Sequence, residues 1–178
     1  ALSVNMLGNS DFFTGAFPAE YGNATSGVFD LKLRKGNHEK REYALQVGVL
    51  GVDLAAEGPF IKGKKASYLV NYRYSTLEML KKAGIQIIGD AAPDFQDGAF
   101  KLFFPVSKNS TLSLWGMGGL SRQIRQRTTQ NDAFHSDRAV VGLNYTHFLS
   151  EKSFVDATLS WAANRQTYDA TRLQQIYI

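Results

Sequence analysis

Cysteine is absent from the 178 residues, and the three histidines, His38, His135 and His147, stand far apart. Neither a disulfide framework nor a zinc cluster is therefore expected. Lack of cysteine leaves the redox compartment open. No uninterrupted apolar run approaches the ~20 residues of a spanning helix, although 44% of the residues are hydrophobic. Any membrane role must then be carried by strands. Proline is scarce, with 4 residues against 16 glycines and 12% aromatics, a balance that favours extended, closely packed strands. A strong charge of one sign is also missing: the net +4 is scattered and does not point to nucleic acid. Ala1-Leu2-Ser3-Val4 shows neither the charged nor the apolar part of a signal peptide.

Catalytic chemistry is equally thin. Asp90, Asp94 and Asp97 resemble a calcium cluster but lack the EF-hand spacing, which leaves solvated loop carboxylates as the plainer reading. The run Gly116-Met117-Gly118-Gly119 is not followed by the Lys-Ser/Thr of a phosphate loop. Its small residues fit the close approach of a neighbouring element. Arg122, Arg125 and Arg127 form a basic stretch suited to acidic ligands or lipopolysaccharide phosphates, or simply to water. His147 lies beside Phe148 near a turn, as an interfacial histidine would. No enzyme activity, cofactor or metal is expected.

What is present is organised around Phe17 to Gly36, FPAEYGNATSGVFDLKLRKG. Gly22, Asn23 and Gly27 suit a turn-rich knot that needs backbone conformations side chains forbid. Val28 to Lys35 then alternates as a strand, with Phe12, Phe13 and Phe17 expected under the knot. Ahead of it, Ser3 to Leu7 reads as a short strand before a turn at Gly8-Asn9. His38 to Glu42 is a charged hinge or a solvated loop.

From Tyr43 onward the period is two. Tyr43, Leu45 and Val47 alternate with small or polar residues, and the phase flips near Leu50-Gly51, by a bulge or a tight hairpin. Ala66 to Glu78, Asp97 to Phe104, Thr111 to Gln126, Arg138 to Phe148 and Phe154 to Gln166 continue the pattern. Turns at Gly58 to Lys65, Pro105 to Asn109 and Leu149 to Lys152 are short. Connections at Met79 to Asp94 and Arg122 to Asp137 are long. Short and long alternate, so the short turns share one end of the sheet, as in outer-membrane barrels. The apolar faces carry no charge through their middles, whereas the opposite faces hold Asp53, Arg73, Lys101, Arg138 and Asp156. Large aromatics, Phe60, Tyr74, Phe104 and Phe148, fall near strand ends, as at a membrane interface. A soluble meander of lipocalin type would show the same period with its apolar face turned inward.

The block Ala-Glu-Tyr-Gly-Asn-Ala-x-Ser-Gly-Val running into FDLKLRKGN resembles the end of the plug domain in TonB-dependent outer-membrane receptors, in the form of their Bacteroidetes members. EGPFIKGKKASYLVNYRYS resembles their first barrel strands, and the resemblance extends to about Gly119. It favours the hairpin at Leu50-Gly51. It implies an all-β fold: an antiparallel outer-membrane β-barrel, here partial with about seven strands, preceded by the C-terminal part of a plug. Residues 1–37 would be the end of the plug and 38–178 the N-terminal part of the barrel, a fragment of a barrel of about 22 strands.

The implied function is TonB-dependent uptake of a nutrient ligand across the bacterial outer membrane. The implied partners are membrane lipid, a small ligand, a surface lipoprotein, and the TonB complex reached through a plug segment not in this chain; nucleic acid is not among them. The implied plug motif is Glu20, Tyr21, Gly22, Asn23 and Gly27. The implied lumen face carries Asp53, Asn71, Arg73, Lys101, Arg138, Asn144 and Asp156, with Tyr72 turned to lipid. The alternative is a soluble or surface-exposed β ligand-binding module.

Overall fold

Strict alternation produces strands throughout. The computed structural model describes all residues except 1, 2, 16, 20, 23, 78, 79, 81, 82, 86–93, 127–129 and 173–178, and only the backbone of 125, 126, 130, 131, 171 and 172. Among the described residues, β1 (Asp11–Thr14) and β2 (Gly27–Asp30) form a small ribbon. β3 (Glu42–Gly48), β4 (Gly51–Pro59), β5 (Ser67–Tyr74), β6 (Asp94–Pro105), β7 (Ser110–Gln126), β8 (Gln130–Phe148) and β9 (Phe154–Arg172) form one antiparallel sheet in sequence order. The chain is all-β, as expected. The described ladder is open: β3 and β9 are its edges, each with one unpaired row of backbone groups. No described helix is long and apolar enough to cross a membrane.

The phase flip at Leu50-Gly51 is a tight hairpin, with Gly48 opposite Gly51 across Val49-Leu50. The stretch Arg122 to Asp137 is not a long loop. β7 and β8 stay paired to Gln126 and Asn131, leaving 127–129 as the connection. Ladder bonds join backbone to backbone, so polar side chains do not stop them, and β9 supports this extension as a third strand. β8 and β9 thereby reach 19 residues each, about 60 Å at ~3.3 Å per residue. β6 likewise begins at Asp94, ahead of the expected Asp97, whereas β5 ends at Tyr74, short of the expected Glu78. The connections 60–66, 106–109 and 149–153 share one end of the sheet. At the other end only 75–93 is long, and most of the expected loop from Met79 to Pro93 lies outside the described residues.

The N-terminal segment differs most from expectation. Ser3 to Leu7 is not a strand: Val4–Met6 is a 3-10 turn capped by the Ser3 hydroxyl, which accepts from the Asn5 amide. Strand pairing expected from Val28 to Lys35 stops at Asp30 and resumes only as a Leu7–Leu33 bridge. In between, the Lys32 amide donates to the Ser10 hydroxyl instead of a ladder carbonyl. Gly22 and Gly27 do not take positive φ; Gly15, Gly63 and Gly84 do. Gly27 lies in β2, where a Cβ would press on the Phe13 carbonyl at 3.2 Å, so it serves close packing. Phe12 stacks on Phe29 (centroids 4.2 Å) and Phe13 tilts against Tyr21 (5.5 Å).

This segment lies on one face of the sheet. Met6, Leu69 and Ala99 form the buried apolar core, with Leu33 and Met117 packed against it. The chain leaves the face at Gly36, where a Cβ would collide with the Tyr68 carbonyl oxygen. Only glycine passes there.

Candidate ligand-facing site on the covered face

Register assigns every side chain of the large sheet to one of two faces. One face carries Tyr43, Leu45, Val47, Leu54, Val70, Tyr72, Phe100, Leu102, Leu114, Val141, Leu143, Leu159 and Trp161. It is open: Tyr43 is 75% and Leu159 74% exposed. Rings gather toward its short-turn end, where Phe60 stacks on Phe104 at 5.2 Å and tilts against Tyr68 at 5.6 Å. Nearby, the Ser110 hydroxyl and His147 Nδ1 are 2.7 Å apart. Seven strands at ~4.8 Å spacing make this patch roughly 30 Å wide, and large contiguous apolar patches of this kind mark interaction or membrane surfaces.

The apolar belt does not run square to the strands. A perpendicular row reads Val47, Val52, Tyr74, Gln96, Leu120, Asp137, Arg165, apolar at one edge of the sheet and charged at the other. On β3 the belt is centred at Leu45, whose row reaches β9 at Ala163. On β9 the belt runs from Val155 to Ala163 and is centred at Leu159. The belt therefore slides by about four residues over six strand steps, the order expected of a level belt on tilted strands.

The other face is polar, and the N-terminal segment covers it over β4 to β6. All seven expected lumen residues, Asp53, Asn71, Arg73, Lys101, Arg138, Asn144 and Asp156, share it, and Tyr72 points the opposite way from Arg73. One row across it reads Gln46, Asp53, Arg73, Asp97, Gly119, Arg138, Asn164. Asn71, only 6% exposed, donates to Asp53 and to the Leu54 carbonyl. Arg73 donates to Asp97 Oδ2 from NH2 at 2.8 Å and from Nε at 3.2 Å, and its guanidinium lies 5.0 Å from the Phe95 ring centroid. Asp97 is thus committed to Arg73, which argues against its use in the calcium cluster; Asp90 lies outside the described residues.

Lys101 sits apart from this group, donating to the Leu33 carbonyl at 2.7 Å. Asn144 and Asp156 lie toward the short turns, bonded to Thr158 and Thr146. Of the expected plug motif, Tyr21 donates to Asp30 at 3.1 Å, while Glu20 and Asn23 lie outside the described residues. Reading the sequence did not single out the pair that fastens the segment to the sheet. Arg34 grips Glu57 bidentately, both bonds at 2.7 Å, and the Asn37 amide adds a third bond at 2.7 Å. Alternation placed each residue on a face, but no local signal links two residues on separate elements.

Beside Ser3, residues of β5 to β9 line a cavity of about 870 Å³. Volumes of this size hold small organic ligands. Among the described residues no group of three His, Asp or Glu is placed to hold a metal. Comparison with known proteins finds no matching family model, no matching curated protein and no matching solved structure.

Proposed function

We infer that the sheet is part of the wall of a TonB-dependent outer-membrane receptor. Residues 3–37 are then a plug segment on its lumen face, and the cavity is where ligand meets wall and plug. One observation carries the reading: the sheet is dressed apolar on its open face and polar on its covered face. Water drives a soluble sheet the other way, whereas a membrane barrel turns its apolar residues to lipid and its polar residues inward. The slanted belt and the rings at its end support the same reading, as does the family resemblance of residues 17–36. Open edges at β3 and β9 fit a wall completed by further strands. Ligand uptake follows from a plug whose two arrangements are biased by differential contacts with ligand.

The test uses single-cysteine labels at Leu159 and Ser160, adjacent residues of β9 on opposite faces. In bilayer vesicles, a lipid-soluble quencher should reach position 159 and an aqueous quencher position 160. Equal aqueous quenching at both positions would sink the reading and favour a soluble β module.

A further inference from the structure

The cavity holds a cation without a counter-charge. Around it, Asp53 is bonded to Asn71, Glu57 to Arg34, Arg73 to Asp97, and Lys101 to a carbonyl. Arg138, which also lines the cavity, has no such partner among the described residues. Its ladder neighbour is Gly119, and across Gly119 stands Asp97. A Cβ at 119 would meet the Asp97 Cβ at 3.0 Å, so no side chain stands on the row between Asp97 and Arg138. The surrounding wall offers apolar side chains from Phe95, Met117, Phe134, Val140 and Ala162, interspersed with polar ones such as Asn71, Ser136 and Asn164.

We propose that this cavity binds an organic monocarboxylate with an aromatic or alkyl body, its carboxylate held by Arg138. A guanidinium fork matches a carboxylate bidentately, and the apolar side chains of the wall take the body of the ligand. One free cation balances one negative charge. A phosphate dianion would carry a second charge toward Asp97, whose own cation is already engaged. The proposal names the cargo class for the receptor reading and rests on it for the biological role, but binding is measurable on its own.

The experiment is equilibrium dialysis of the chain in detergent micelles against 2-naphthoate and its neutral analogue 2-naphthamide, corrected for uptake by micelles alone. The carboxylate should bind at least tenfold more tightly. Arg138→Gln, an exposed position whose fold is checked by circular dichroism, should bring the two within about twofold. On the unsubstituted chain, naphthoate and not naphthamide should slow modification of Arg138 by phenylglyoxal. Equal affinities, no binding of either compound, or a preference that survives Arg138→Gln overturns the proposal. A chain that inserts in bilayers yet binds neither probe sinks the cargo class alone. One that binds the carboxylate but shows aqueous quenching at position 159 sinks the receptor reading alone.

Discussion

Leu69 and Val70 are consecutive on β5, yet Leu69 is fully buried while Val70 is 38% exposed. The two faces differ in the same way across β4 to β6, whereas β3 and β9 are exposed on both faces. Burial follows the N-terminal segment rather than hydrophobicity: the covered face buries Asp53, Ser67, Asn71 and Asp97, while Leu45, Leu143 and Trp161 stay bare. A polar face is covered at least cost where its buried groups are bonded; Asn71 to Asp53, Arg73 to Asp97 and Arg34 to Glu57 meet that requirement, whereas the buried Ser67 hydroxyl has no partner among the described residues. An apolar face has no such need, only a neighbour that is not water. The covered face is thus specified by pairing, and the open face by its surroundings.

The largest way to break this contrast is to empty the core under the segment. Leu69→Ala removes the side chain that Met6 and Ala99 enclose. It should cost about 3 kcal/mol, within the range for buried leucines, read from denaturant unfolding in micelles. Val70→Ala beside it should cost under about 1 kcal/mol, because little is packed against it. Similar losses at the two positions would mean that the open face is covered in solution.

A smaller effect sharpens the comparison from the other side. Val70→Arg places a charge within the apolar belt. In bilayers it should cost about 2 kcal/mol, as charges on the lipid face of barrels do. The same substitution in a water-facing sheet should cost within about 0.5 kcal/mol. Folding titrations into vesicles compare it with the unsubstituted chain, and a negligible penalty would remove lipid as the neighbour of this face.

These contrasts also show what was legible in the sequence. Strand parity was: Tyr72 and Arg73 fall on opposite faces, and all seven charged or polar candidates share one face. A side-chain period of two fixes faces without any tertiary information. Element ends were less legible. The ladder of β7 and β8 persists through Gln123 and Asp132 because backbone pairing is indifferent to polarity, so a polar stretch resembled a loop. Glycine roles were misplaced for a related reason. Gly36 matters for what approaches it from another element, which a turn-based reading of Gly22 and Gly27 does not address, whereas close approach at the Gly116 to Gly119 run was legible. The grip of Arg34 on Glu57 joins residues 23 apart and depends on how the segment docks.

That grip supplies a third, still smaller effect. Glu57→Gln leaves the Arg34 guanidinium without its bidentate acceptor and should loosen the segment by about 1.5 kcal/mol, the scale of hydrogen bonds to charged groups. Trypsin should then cut faster at Lys32, Arg34 and Lys35. Replacing both residues with methionine should recover part of the loss, because no partly buried charge is left unpaired. Unchanged cleavage in Glu57→Gln would show that Met6 and Leu33 hold the segment unaided.

The smallest effect lies at the exposed end of the segment, in the β1–β2 ribbon. Lys32 bridges Asp30 at 3.1 Å and Asp11 at 3.2 Å, and the Tyr21 hydroxyl donates to Asp30 as well. The hydrogen bond from Lys32, helped by that from Tyr21, holds the Asp30 carboxyl below its ordinary 3.8. A carboxylate whose folded value is depressed contributes stability above its unfolded value and loses it as pH falls through the folded one. The ribbon should therefore be fully supported above pH 3.8 and weaken only below it. The gain is small because both partners meet solvent, where such pairs contribute little. A carbon-13 titration of the Asp30 carboxyl should give a midpoint below 3.8, and Lys32→Met should return it toward that value. Because the pair is exposed to water on both sides, added salt should raise the midpoint in the unsubstituted chain and barely move it in Lys32→Met. A midpoint that ignores both salt and the substitution would assign the depression to Tyr21 instead, leaving the ribbon held by its ladder and by the stacked rings of Phe12 and Phe29.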